Sequence, residues 1–121
     1  MPILKVDHER KQVDAVAVGP ISYADIENHL LTERLYGGLA YKELIDARSA
    51  EISFHPDETR EIVALLLSLG RQSKLGPTAI VVSNDITFGI LRMLAMLLAD
   101  VAVIRPFRDE QEAHRWLASQ K

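Results

Sequence analysis

The sequence predicts an α/β fold built on a mostly parallel five-stranded sheet. Short β-rich runs alternate with helical stretches in the order β-β-α-β-α-β-α-β-α. The run Thr78-Ala79-Ile80-Val81-Val82-Ser83 is continuous and β-branched, as a strand covered on both faces is. Gly19-Pro20, Gly37-Gly38 and Gly76-Pro77 punctuate the elements.

Ile3 to Val6 reads as a first strand, followed by a charged turn over Asp7 to Lys11. Val13 to Val18 reads as its hairpin partner, ended by Gly19-Pro20. Ser22 is an N-cap with Asp25 three residues on, so a helix starts there. Ile26, Leu30, Leu31 and Leu35 give that helix an apolar stripe, and Gly37-Gly38 stops it. Ala40 to Ala47 holds a third strand centred on Leu44-Ile45, with a loop from Arg48 to His55. Pro56 suits the first turn of the next helix, where Asp57, Glu58 and Glu61 favour its positive end. That helix runs to about Lys74. After the Thr78–Ser83 strand, Asn84 or Asp85 caps a third helix to about Ala99. Val101 to Ile104 reads as the fifth strand. Asp109 caps a last helix that turns Ala113, Trp116 and Leu117 inward.

Length and composition bound the rest. The 121 residues make one domain, 1–121, with ordinary globular usage of 48% hydrophobic and 26% charged residues. A formal net charge of −3 and the lack of a basic run argue against nucleic-acid binding. No cysteine is present, so thiolate metal sites and thiol nucleophiles are excluded. The N-terminal segment is too charged for a signal peptide. The longest apolar stretch, Gly89 to Ile104, is broken by Arg92 and Asp100 and is too short for a membrane span. A cytoplasmic setting is expected.

Three segments carry a resemblance: Leu44-Ile45-Asp46-Ala47-Arg48, Phe88-Gly89-Ile90-Leu91-Arg92-Met93, and Phe107 to Leu117. With the element order, they resemble the STAS family, and within it the small stand-alone SpoIIAA-like bacterial proteins. The STAS family includes anti-sigma-factor antagonists and the cytoplasmic tails of sulphate transporters. The resemblance implies a STAS fold with an antiparallel edge strand, and a binding or regulatory role without catalysis. Comparison of that fold with CRAL-TRIO lipid-binding domains implies, as an alternative, a carrier of a small apolar or lipid ligand. In the antagonists a phosphorylated serine opens the helix after the Asp-ended strand. Here that region reads Phe54-His55-Pro56-Asp57-Glu58-Thr59, with acids at the switch position. Switching by serine phosphorylation is therefore not expected.

The residues offer two candidate surfaces. Asp46, Arg48, His55, Asp57, Ser83 and Asn84 fall at or beyond strand C-terminal ends, where open α/β sheets bind ligands. Helix capping accounts for several of them equally well. His29 and Glu33 share a helix face, but two ligands are too few for a metal, and neither metal nor cofactor is expected. No convergent catalytic set is legible.

The second surface is the third helix, which is apolar nearly all round. Ile86, Ile90, Met93, Leu94 and Leu97 are expected to face the core. Phe88, Leu91, Met96 and Leu98 around Arg92 are then expected to face outward. That outer side is either covered by neighbours or is a surface for a partner protein, a second copy in a homodimer, or lipid. A carrier should hold an apolar cavity of roughly 300 Å3 or more, whereas a protein-contact module should hold none.

Overall fold

The computed structural model describes residues 3–120. Five strands and four helices follow in the expected order: β1 (Ile3–Asp7), β2 (Gln12–Ile21), α1 (Tyr23–Leu35), β3 (Lys42–Ile52), α2 (Pro56–Gln72), β4 (Thr78–Val81), α3 (Asp85–Leu97), β5 (Ile104–Phe107) and α4 (Glu110–Ser119). The strands lie side by side in sequence order. Only the β1–β2 pair is antiparallel.

Local chemistry sets most boundaries. The Ser22 hydroxyl accepts from the Asp25 N–H while the Asp25 carboxylate accepts from the Ser22 N–H, a reciprocal cap on α1. The Asn84 side chain accepts from the Thr87 N–H and opens α3. Asp109 does the same for α4 through the Gln111 N–H. Gly76 is required by close approach. A Cβ there would lie 2.0 Å from the Tyr41 carbonyl oxygen, a backbone atom that cannot swing aside.

Three boundaries differ from the sequence reading. Gly19-Pro20 does not end β2. Gly19 takes a positive φ of 75°, pairing shifts register between Val16 and Val18, and the ladder resumes through Ile21 opposite Ile52. Among the described residues Pro20 has no β1 partner on that side of β2 that would need its N–H. For the same reason β3 continues through Arg48 to Ile52 instead of giving way to a loop. Third, β5 starts at Ile104, not Val101. The Val101 and Ala102 N–H groups both donate to the Leu98 carbonyl and close the end of α3. Pro106 is tolerated in β5 because that strand is an edge.

The sheet divides the interior in two. On one face Leu44, Ala79, Val81 and Phe107 pack under Ala113 and Leu117 of α4. On the other, alternate residues such as Ile45 and Ile80 meet α1, α2 and α3, with Ile62, Leu94 and Leu98 deeply buried. Trp116 is half-buried rather than core. Its ring stacks at 50° on Phe107, with centroids 5.7 Å apart. Trp116→Ala is expected to cost about 2–3 kcal/mol in urea melts, below the ~3–5 kcal/mol of a fully buried aromatic. A loss under about 1 kcal/mol would contradict that packing.

α1 is also turned from its expected orientation. Leu31 and Leu35 are exposed, and α1 buries Glu33 instead. Among the described residues no helix is long and apolar enough to cross a membrane.

Candidate functional site

The polar residues at the strand ends are largely engaged with one another. Arg48 donates from Nε and Nη2 to the two carboxylate oxygens of Asp46, at 3.0 and 2.8 Å. The same guanidinium reaches Glu110 at 3.4 Å. Hydrogen bonding by Arg48 holds the Asp46 carboxyl below the usual carboxylate range. Ser83 donates its hydroxyl to the Arg48 carbonyl at 2.8 Å, and Arg108 bridges Asp85 and the Ser83 carbonyl. Asn84 is spent in capping α3.

His55 and Asp57 are exposed at the start of α2. The Glu58 carboxylate accepts from the His55 N–H at 2.8 Å. Among the described residues neither His55 nor Asp57 hydrogen-bonds to Asp46, Arg48, Ser83 or Asn84. Four of the six residues therefore gather in one surface network or cap, and two stand apart.

A different group converges inside the protein. His29 and Glu33 lie one turn apart on α1, and Glu43 projects from the start of β3 between them and the sheet. Their side chains are 9%, 5% and 7% exposed. His29 Nε2 lies 2.6 Å from Glu33 Oε1 and 2.7 Å from Glu43 Oε2. Nε2 and Glu43 Oε2 form a hydrogen bond. Glu33 Oε1, despite its proximity, has no hydrogen-bond partner, and neither has His29 Nδ1.

The environment explains the ionisation. Burial alone would lower the His29 imidazole, but the carboxyl groups of Glu33 and Glu43, both within 2.7 Å of Nε2, outweigh it and raise the group to about 10. Burial raises the Glu43 carboxyl to about 8, and the hydrogen bond from His29 offsets only part of that.

The pairing of His29 with Glu33 was visible as an i,i+4 spacing, but Glu43 was not singled out. One signal could have found it. Glu43 has the same strand parity as Ile45 and Ala47, so a strand centred on Leu44-Ile45 points it to the face that Ile45 occupies.

The trio stands between two hollows. An apolar cavity of about 210 Å3 lies between the sheet and α1–α3, lined by residues such as Ile45, Ile80, Ile62, Leu66 and Leu91, with His29 and Glu43 among its few polar groups. An outer groove of about 460 Å3 runs between β1 and α1, past Val6, His8, Asn28 and Tyr36, and His29 lines it too.

α3 forms one wall of the inner cavity, through Thr87, Leu91, Leu94 and Leu98. This rotates the helix from its expected setting. Leu98 is fully buried at 0% exposure, whereas Ile86, Met93 and Leu97, expected in the core, are 78%, 45% and 56% exposed. Met96 is outward at 79%, Arg92 is exposed, and Phe88 and Leu91 are half-buried. The wheel alone could not place the helix, because both of its long sides are apolar. The buried side is the one whose residues recur as 87, 91, 94 and 98.

A mostly parallel sheet with one antiparallel edge, three helices on one face and one on the other, defines a SpoIIAA-like α/β fold. Solved structures share it, two of them as follows. One is an uncharacterised protein of the DUF3478 family with a SpoIIAA-like fold from Shewanella loihica PV-4, at TM-score 0.65 and 19% identity over 96% of this chain and 93% of that one. The other is the anti-sigma factor antagonist SpoIIAA in its unphosphorylated form, at TM-score 0.57 and 11% identity over 98% of this chain and 99% of that one. No protein-family model matches the chain, and no curated protein matches it. At these identities the likeness is one of fold.

Proposed function

We propose that this protein is a non-catalytic, cytoplasmic regulatory module that acts through protein contact, with α3 as the contact surface and a second copy as its first partner. The observation that carries this is the exposed apolar face of α3. Ile86, Met93, Met96 and Leu97, with half-buried Ile90, form a continuous stripe on the solvent side of a helix that also walls the core. Contiguous exposed apolar surface marks contact sites.

The stripe can pair with itself over part of its length. In an antiparallel two-fold pairing about residue 91, Ile86 of one copy opposes Met96 of the other, and Met93 opposes Gly89. Gly89 is exposed, and a Cβ there would meet nothing within 4 Å, so two backbones can approach closely at that point. Methionine adapts to such a contact. A 13-residue helix is about 20 Å long, so it alone covers less than the ~800 Å2 per partner of a standard interface. Reversible association in the micromolar range is therefore expected, as suits a regulatory module.

Met96→Glu places a charge on the stripe without touching the buried side. It is expected to shift the sedimentation profile from dimer to monomer at about 100 µM while leaving the far-UV circular dichroism unchanged. A wild-type chain that sediments as a monomer throughout the high micromolar range excludes the second copy as partner.

The cavity favours a second reading, a carrier of a small apolar ligand. Its volume of about 210 Å3 falls below the ~300 Å3 expected of a drug-sized site. An apolar cavity of about 150 Å3 holds a benzene ring, so a single-ring ligand fits and a lipid does not. Benzene added to the protein would move the methyl resonances of Ile62, Leu66 and Leu91 under this reading, and would leave them unchanged otherwise.

A further inference from the structure

We propose that His29, Glu33 and Glu43 form a divalent metal site of the zinc type, independently of the contact surface on α3. Three ligand atoms of suitable chemistry, His29 Nε2 and one carboxylate oxygen from each glutamate, lie within 4.8 Å of one another. All three side chains are more than nine-tenths buried.

Two carboxyl groups face one imidazole, and among the described residues neither glutamate pairs with a lysine or arginine. The single Nε2–H cannot serve both acids. The Nε2–Glu43 contact meets hydrogen-bond geometry, whereas buried Glu33 Oε1, 2.6 Å from the same nitrogen, does not. A divalent cation in place of that proton bonds Nε2, Glu33 Oε1 and Glu43 Oε2 together. It gives the orphaned oxygen a partner, and its charge of two matches the two carboxylates beside a neutral imidazole.

Imidazole nitrogen and a low ligand count select zinc or a neighbouring transition metal over calcium or magnesium, which take six or more oxygens. Zinc holds such ligands at about 2.0–2.2 Å, which sets adjacent ligand atoms roughly 3.3–3.5 Å apart. The observed separations of 2.6 and 2.7 Å are those of the closed, proton-bridged trio. Opening each by less than 1 Å is a side-chain rotation, not a change of fold. The outer groove supplies an entry path to His29, and the fourth position is left to water.

His29 Nδ1 has no acceptor. Tight zinc sites fix the imidazole through that N–H, and lacking it costs about 10–100-fold in affinity. Binding is therefore expected to be micromolar, not nanomolar.

The test uses the whole chain, stripped with chelator. Isothermal titration with ZnCl2 is expected to give one equivalent bound, with Kd of about 1–50 µM. CoCl2 should develop the visible bands of a tetrahedral nitrogen–oxygen site, and MgCl2 should do nothing. Glu33→Gln and Glu43→Gln keep side-chain shape and should each weaken zinc at least ~30-fold, while the exposed control Asp57→Asn should not. Should a glutamine variant fail to fold, the 15N resonances of His29 in wild type decide, since zinc must shift Nε2. No saturable zinc binding up to about 200 µM, an unmoved Nε2, or full affinity retained by both glutamine variants would each overturn the site.

Discussion

His29→Ala is expected to destabilise the metal-free protein by about 3–5 kcal/mol, the largest loss of any single substitution considered, because it leaves two buried carboxyl groups without the imidazole that faces both. The loss arises from the charges left behind, not from the missing ring. Replacing the whole trio by His29→Leu, Glu33→Leu and Glu43→Val together should accordingly recover most of it. Urea melts in the presence of chelator measure both. A single variant within about 1 kcal/mol of wild type would show that the trio is solvated rather than buried.

The same trio sets the direction of the pH dependence. The folded His29 lies at about 10 against an ordinary 6.5, so its contribution is complete below about 6.5 and is lost as pH rises toward 10. The folded Glu43 lies at about 8 against 4.5, so the unfolded chain releases this proton first and stability again falls as pH rises from 4.5 to 8. Both groups act in one direction. The metal-free chain should be more stable at about pH 6 than at about pH 9, and the trio-replaced variant should lose most of that difference.

Leu98→Ala is expected to cost about 3–4 kcal/mol, since a fully buried leucine that lines the apolar cavity is removed. Met96→Ala, two residues earlier and outward, should cost less than about 0.5 kcal/mol. The pair reads out the rotation of α3 directly. Equal costs, or the reverse order, would place Leu98 on the surface and Met96 in the core.

These two sites show where sequence reading succeeds and where it stops. The strand and helix order was legible because apolar runs and caps such as Ser22, Asn84 and Asp109 act locally. The ends of β2 and β5 were not, because Gly19-Pro20 continues a ladder only where a bulge and an unpaired edge allow it. Whether Val101 donates to a ladder or to Leu98 is likewise decided in space. The rotation of α3 was hidden by its apolar symmetry. The trio was half-legible: His29 and Glu33 share a helix face by spacing, but Glu43 joins them only through the packing of α1 on β3. The strand-end residues Asp46, Arg48 and Ser83 hydrogen-bond to one another, which spacing in the sequence does not show.

The central claim is that α3 presents a contact surface, and the methionine methyl groups report on it. The chain has three methionines, and two of them, Met93 and Met96, lie on the exposed stripe. In methyl spectra of 13C-methionine-labelled protein, the Met93 and Met96 signals should shift together as concentration rises from about 10 µM to 1 mM, following one micromolar dissociation curve. In Met96→Glu, the remaining Met93 signal should stay at its dilute position throughout. If the Met93 and Met96 signals of wild type hold still over that range, α3 is not a surface on which this chain meets itself.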